Sequence, residues 1–176
     1  MRYREATQLD APAIAALHAE SWRFAYRGAY SDEYLDGDVF QDRVRVWQKR
    51  LSSQPPNRYV ILAEDADGLV GFACAYGADD ERWGTLVDNL HVRPDRHRQG
   101  TGKRLLAEVA GWCRTEYEGC GLYLWVLEQN ARARRFYEHL GATDEESRSS
   151  VPPGGGTTVI HRYAWSRDEL IARKWI

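Results

Sequence analysis

The chain has 176 residues, of which 43% are hydrophobic and 28% charged, so it can form one domain with a full core and is neither disordered nor fibrous. Its net charge of −2 excludes a general nucleic-acid-binding role, which needs an excess of Lys and Arg to neutralise phosphates. The N-terminus carries charges at once, and no window has the roughly 18 apolar residues of a membrane span. We therefore expect one soluble, cytoplasmic domain over residues 1–176, with neither nucleic acid nor membrane as its partner.

The first third of the chain predicts a short strand followed by two helices. Residues 3–6 are the strand candidate, and Asp10 followed by Pro12 marks the start of a helix that ends near Gly28. A second helix follows Ser31, where a capping hydroxyl precedes early acids, and it ends at "QPPN". Apolar residues recur at helical spacing in both segments.

The rest of the chain alternates strands with two further helices. β-Branched and aromatic runs predict strands over residues 58–65, 68–77 and 83–92. An amphipathic helix in "GTGKRLLAEVAGWCRTEY" is followed by the apolar strand "GLYLWVL" and a helix in "NARARRFYEHLG". Two last strands, in "ATDEESRSS" and "TTVIHRYAW", flank the loop "VPPGGG". The predicted order is β α α β β β α β α β β, and residues 86–127 require a right-handed crossover with at least one parallel strand pair.

The three cysteines carry no metal or disulfide pattern. Cys74, Cys113 and Cys120 are odd in number, lack CxxC spacing and lie within or beside apolar runs. Buried free thiols in a reducing compartment are the expected outcome, and no metal site is predicted.

The stretch "RHRQGTGKRLL" (96–106) combines four basic side chains with two glycines between a predicted strand and a predicted helix. The free N–H groups at a helix N-terminus bind anions, and Gly100 and Gly102 let an oxyanion approach the backbone closely. The GxxxxGK[ST] and GxGxxG phosphate-binding patterns are both absent. On local chemistry alone, the stretch is either an anion site suited to a pyrophosphate or a basic turn that shapes a helix entrance.

The longer stretch "LHVRPDRHRQGTGKRLL" (90–106) resembles the signature of the GNAT acyl-CoA N-acyltransferases. The resemblance implies an α/β (α+β) fold with a mixed, mostly antiparallel sheet, in which strands 83–92 and 121–127 start paired and splay apart. It also implies acetyl-CoA as co-substrate. The implied binding residues in this stretch are Leu90, His91, Val92, His97, Arg98, Gln99, Gly100, Thr101, Gly102 and Lys103. One departure is His97, which stands where the family usually has Gln or Arg.

A second stretch, "LEQNARARRFYEHLGA" (127–142), is similar to another conserved part of that family and places Asn130, Ala133, Phe136 and Tyr137 at matching positions. Asn130 can cap the helix, and by resemblance it binds the pantetheine arm. Tyr137 reads locally as a core residue, whereas the resemblance places its phenol beside the thioester sulfur as a general acid.

The resemblance further implies direct attack by a neutral amine, with no covalent enzyme intermediate. Free backbone groups of Leu90 and Val92 would bind the pantetheine, and an N–H near Val92 would polarise the thioester carbonyl. The amine also needs a base or a water chain. Glu81, Asp88 and Glu128 are the candidate carboxylates, and each can equally be a solvated charge at a strand end.

The acceptor would enter over "ESWRFAYRGAYSDEY", where Trp22, Tyr26 and Tyr30 are the candidate contacts, although Trp22 is also a good core residue. The "VPPGGG" loop is either a flap over this site or a long hairpin loop. Three functions stay open: acetylation of a small-molecule amine, acetylation of a protein N-terminus or lysine, and non-catalytic acyl-CoA binding. Apolar residues in the C-terminal "RYAWSRDELIARKWI" suggest a possible homodimer.

Overall fold

The computed structural model describes residues 1–53 and 55–172. Seven strands in this part of the chain form one sheet in the order β1-β2-β3-β4-β5-β7-β6. The strands are β1 (Arg2–Glu5), β2 (Arg58–Asp65), β3 (Gly68–Asp80), β4 (Gly84–Val92), β5 (Leu122–Leu127), β6 (Thr143–Ser150) and β7 (Thr158–Trp165). The helices are α1 (Ala11–Ala25), α2 (Asp32–Asp36), α3 (Val39–Ser52), α4 (Thr101–Glu116), α5 (Ala131–His139) and α6 (Arg167–Ala172). None of these helices combines the length and the apolar character needed to cross a lipid bilayer.

The predicted fold class is confirmed, because every strand pair is antiparallel except β4 with β5. Two helical predictions differ in detail. The predicted second helix is two helices, α2 and α3, that break at Gly37, where a Cβ would lie 2.9 Å from the carbonyl oxygen of Glu33. Helix α6 was not predicted, although Ser166 and Glu169 form a capping pair at its start.

Helices cover both faces of the first half of the sheet. On one face, α1 and α3 bury Ile14 and Trp47 against Phe72 of β3. On the other face, α4 buries Leu105 and Val109 against the sheet. Because side chains alternate along β2 and β3, these strands contribute residues to two separate cores, one on each face of the sheet. The three cysteines are free thiols, with Cys74 and Cys113 buried and Cys120 partly exposed.

The parallel strands β4 and β5 touch at one end only. Their paired residues are Thr85 with Leu122 and Leu86 with Tyr123, beyond which no pair is formed. The segments at this end pack tightly where Gly84 faces Gly121, since a Cβ on Gly84 would lie 2.5 Å from the carbonyl oxygen of Gly121. From this point the strands diverge toward their carboxyl ends, as expected, and the sheet opens between them.

Candidate active site

A cavity of about 740 Å³ fills the opening between β4 and β5. Its walls are the carboxyl halves of both strands, the N-terminal ends of α4 and α5, and the C-terminal half of α1. The two stretches that carried the family resemblance therefore meet at one site.

Almost all of the predicted cofactor-binding residues line this cavity. Gln99 does not, because its side chain is exposed to solvent beside the loop. Arg104, one of the four basic residues of the loop, also lies outside the lining and pairs with Glu108 at 2.7 Å instead. The lining residues are Leu90, His91, Val92, His97, Arg98, Gly100, Thr101, Gly102, Lys103, Asn130, Ala133, Phe136 and Tyr137.

The N-terminus of α4 presents free backbone donors to the cavity. Gly100 caps this helix with φ +80°, a left-handed conformation that L side chains rarely adopt, and no side chain caps the helix. Gly102 faces the ring of Phe136, which a Cβ would approach to 3.5 Å. Arg98 and Lys103 form no ion pair with another described residue, so their charges remain available to a ligand. This end of the cavity is a site for an anionic group.

His97 contacts the end of strand β4. Its Nε2 lies 2.8 Å from the carbonyl oxygen of Val92, so Nε2 carries the proton and donates. Its Nδ1 is buried and has no partner among the described residues. Burial lowers the pKa of His97, which favours the neutral ring.

Strand alternation turns the backbone groups of Leu90 and Val92 toward the opening. The N–H of Arg93 donates to the carbonyl of Val70 in β3 at 2.8 Å, so residues alternating with Arg93 point their backbone groups away from β3. The expectation of free groups needs one correction, because the carbonyl of Val92 is occupied by His97. The remaining free groups are the N–H of Val92 and both backbone groups of Leu90.

Asn130 and Tyr137 both reach the cavity from α5. The Oδ1 of Asn130 accepts the N–H of Ala133 at 3.1 Å, which is the capping role that its sequence position indicates. The ring of Tyr137 is 8% exposed and packs in the core 6.2 Å from the ring of Trp165. Its hydroxyl bonds to no other described residue. Burial raises the pKa of this phenol, so Tyr137 holds its proton at neutral pH and can donate it.

Of the three candidate carboxylates, the structure brings Asp88 to the cavity. Its Oδ2 accepts from Arg50 at 2.6 Å. Glu81 lies in the turn before β4 and outside the cavity lining. Glu128 also lies outside the cavity lining, with its Oε1 3.5 Å from the Nε2 of His161 and its side chain 54% exposed. Of the three candidates, Asp88 is therefore the one whose position fits a base in this cavity.

His91 lines the same wall, and the buried ring of His18 lies behind it. The rings of His18 and His91 lie 4.5 Å apart, and the Nε1 of Trp47 donates to the Nδ1 of His18 at 3.0 Å. Burial, helped by the charge of Arg43, lowers the pKa of His91 to about 3. His91 is therefore a neutral wall residue and a weak base.

The predicted acceptor residues Trp22, Tyr26 and Tyr30 line the other end of the cavity. Their ring centroids lie 5.0 to 5.5 Å apart, so they form one aromatic cluster. Trp22 is also core, since it is 7% exposed and packs with residues of α1 to α3. Sequence reasoning missed Arg43 and Arg50 of α3, which enter the same space. Their spacing of seven residues, on one helix face with an intervening Trp at position 47, was the available signal.

The loop over residues 151–157 lies against this end. A Cβ on Gly154 would come within 2.6 Å of the Cβ of Tyr34 and 3.0 Å of the Oγ of Ser31, so the loop backbone rests on the start of α2. Ser150 and Ile160, on either side of the loop, line the cavity.

Comparisons with known proteins point to one family. A model described as the acetyltransferase (GNAT) family matches residues 13–142. The uncharacterized N-acetyltransferase YuaI of Bacillus subtilis is 30% identical over 131 residues, covering 72% of each chain. The PaiA N-acetyltransferase of Thermoplasma acidophilum, in complex with coenzyme A, superposes with a TM-score of 0.74 at 20% identity, over 93% of this chain and 98% of that one. YncA of Salmonella typhimurium, solved with its cofactor acetyl-CoA, gives 0.67 at 20% identity, over 96% and 94%.

Proposed function

The chain belongs to the GNAT family of acetyltransferases and is an acyltransferase, and we propose that it moves an acetyl group from acetyl-CoA to a primary amine of a small molecule. One observation carries this proposal. A single cavity joins a helix N-terminus suited to anions with a protonated phenol, Tyr137, and a carboxylate, Asp88. Phosphate binding, leaving-group protonation and amine deprotonation can therefore occur along one continuous space.

The residues present fit acetyl-CoA. The N–H groups at the start of α4, together with Arg98 and Lys103, would hold the pyrophosphate. The free backbone groups of Leu90 and the N–H of Val92 would hold the pantetheine arm in the way an added strand is held. Bound there, acetyl-CoA supplies an acyl group already activated as a thioester.

The side chains around the thioester position then have separate tasks. The N–H of Val92 would donate to the oxygen on which charge develops in the transition state. Tyr137 would donate its proton to the departing sulfur, and the carboxylate of Asp88 would accept the proton of the amine, directly or through water. The cysteines support direct attack by the amine, since none of them lines the cavity and burial raises the pKa of Cys74 to about 12.

A small acceptor is favoured by the aromatic cluster of Trp22, Tyr26 and Tyr30, which provides flat surfaces of small-molecule size in the cavity wall.

Two measurements test the proposal in sequence. Isothermal titration with acetyl-CoA measures binding, and failure to bind any acyl-CoA would contradict it at the first step. Thiol release from acetyl-CoA is then followed over panels of small amines and of peptides. We expect release with small amines, whereas release with peptides alone would reassign the acceptor class. Binding without transfer to any acceptor would instead favour a non-catalytic acyl-CoA-binding module.

A further inference from the structure

The charges that line the cavity are strongly unequal. Among the described lining residues the carboxylate is Asp88, against six cations: Arg43, Arg50, Arg96, Arg98, Lys103 and Arg132. Arg96 is already paired with Asp67 at 2.6 Å, whereas Arg98, Lys103 and Arg132 surround the starts of α4 and α5, where the phosphates of acetyl-CoA would compensate them. The other two, Arg43 and Arg50, lie at the acceptor end.

Only one of these two guanidinium groups is compensated within the cavity. Arg50 pairs with Asp88 at 2.6 Å. Arg43 donates from Nη2 to Asp42 at 2.8 Å, but Asp42 is outside the cavity lining. The carboxylate of Asp42 also lies 3.8 Å from Arg45 and accepts from the hydroxyl of Tyr34. The cavity side of Arg43 therefore has a positive charge that no lining carboxylate meets.

Arg43 is buried and has hydrogen-bond donors without partners among the described residues. It is 9% exposed, and its guanidinium carbon sits 4.3 Å over the ring of Trp22. Its Nε is buried without a partner among the described residues, and its Nη1 makes no hydrogen bond to them either. Unpaired buried donors are costly, so a ligand that supplies acceptors gains most at this position.

The neighbours of Arg43 are donors too. The ring of His18 accepts from Trp47 at Nδ1, which leaves the proton on its buried, unpartnered Nε2. The hydroxyl of Ser21, one helical turn along α1, is also buried and unpartnered. Burial raises the pKa of Tyr30 to about 12, against the opposing charge of Arg43, so this phenol also keeps its proton. Arg43 therefore lies among several hydrogen-bond donors, while its own carboxylate partner, Asp42, is outside the cavity lining.

We infer that the acceptor amine carries a carboxylate, which binds Arg43 and the hydroxyl of Tyr30 while the amino group faces Asp88 and Tyr137. This inference rests on the proposed function and names its substrate class. A carboxylate offers about four lone-pair sites for hydrogen bonds and one negative charge, which is what the region around Arg43 lacks. A purely cationic amine would meet the charge of Arg43 with no carboxylate of the cavity lining beside that guanidinium group.

The test compares acceptors that differ at the carboxylate alone. Sets of an amino acid, its primary amide and its decarboxylated amine are assayed by thiol release with the wild-type protein. Rates are compared at equal concentrations of free amine, because a carboxylate raises the pKa of a nearby ammonium group. We expect kcat/KM for the amino acid to exceed that for its amide and amine by about 10- to 100-fold, the range of a charge-assisted hydrogen-bonded pair.

Variants assign the preference to Arg43. In Arg43→Gln we expect KM for the amino acid to rise by a similar factor, with little change for the amide, so the preference disappears. Arg43→Lys, which keeps the charge, should retain part of it. Arg45→Gln is the matched control: it removes another guanidinium beside Asp42 from the same helix, but its side chain is 69% exposed and outside the cavity. Acetyl-CoA titration of each variant verifies that the fold and the cofactor site persist.

The outcomes separate the two levels of proposal. Equal turnover of amino acid, amide and amine by the wild-type protein overturns the carboxylate inference and leaves the acetyltransferase proposal standing. A preference that survives in Arg43→Gln also overturns it. No transfer to any amine overturns both. The wild-type comparison needs no variant, so it decides the matter even if Arg43→Gln fails to fold.

Discussion

Replacing Tyr137 by Phe tests the assignment of the general acid. The change removes one hydroxyl that bonds to no other described residue and keeps a ring that is 8% exposed in the core. We therefore expect the free energy of unfolding to change by less than about 1 kcal/mol. Single-turnover acetyl transfer should slow by about 10- to 100-fold, at the low end for general acid catalysis because a thiolate already leaves readily. The affinity for acetyl-CoA should be unchanged.

Tyr163→Phe is the matched control for this experiment. Tyr163 is a buried tyrosine of the same core, 6.2 Å from Tyr137, but its hydroxyl donates to Glu138 at 2.6 Å and accepts from Arg134 at 3.1 Å. Loss of the Tyr163 hydroxyl should lower the free energy of unfolding by about 1–2 kcal/mol and leave the transfer rate unchanged. We thus expect Tyr137→Phe to lower the transfer rate and Tyr163→Phe to lower the stability. Urea unfolding measures the stability, and rapid quench measures the rate.

The pH dependence gives an independent check on Tyr137. Because burial raises the pKa of this phenol above its usual value of 10, it stays protonated throughout the range in which most amines lose their protons. The wild-type rate should therefore rise with pH and show no decline up to about pH 9. An unchanged single-turnover rate in Tyr137→Phe would reduce this residue to a packing role and refute the reasoning.

Three further predictions concern the cofactor site, the base and the buried histidines. Gly102→Val should weaken acetyl-CoA binding by more than about 10-fold in titration calorimetry, because its side chain meets the ring of Phe136, 3.5 Å from a Cβ at that position. Gly111→Ala in the same helix, with open space around the Cβ, should instead stabilise the protein by about 0.5–1 kcal/mol. Asp88→Asn should lower kcat by roughly 100-fold or more, whereas Glu81→Gln, outside the cavity lining, should not affect kcat. Since burial lowers the pKa of His91 to about 3, the unfolded chain binds the proton first, and stability should fall as pH drops below about 6.5. His91→Gln should flatten that decline in urea titrations between pH 7 and 4; an unaltered slope would contradict the assignment.

The cofactor half of the site could be predicted from the sequence because its determinants are local. Gly100 and Asn130 each stand at a helix start, so the motif and the element that positions it are adjacent in the chain. The family that these stretches resemble is confirmed by the match over residues 13–142. The splayed strands followed from that resemblance, and the pairing of β4 with β5 at only two positions confirms them.

In the acceptor half, the sequence indicated the aromatic residues but could not identify the charged ones, because their positions depend on packing between distant elements. Asp88 and Glu128 both follow apolar strand residues, and only the direction of each strand residue relative to the opening separates them. Arg43 lies on a helix rich in charged residues, where a solvent-facing role is the ordinary expectation. It reaches the cavity because α3 docks beside α1, with Trp47 against His18 at 3.0 Å. C-terminal residues 173–176, part of the segment on which a homodimer was expected, lie outside the described residues.

The neutral state of His91 limits the positive charge at the acceptor end of the cavity. A protonated imidazole there would add a third cation beside Arg43 and Arg50, and the burial that lowers its pKa to about 3 prevents this. Arg50 is paired with Asp88 at 2.6 Å, so the positive charge that a substrate carboxylate would meet there is that of Arg43. Such a carboxylate on Arg43 would hold the amine nitrogen toward the thioester, and Asp88 would accept its proton.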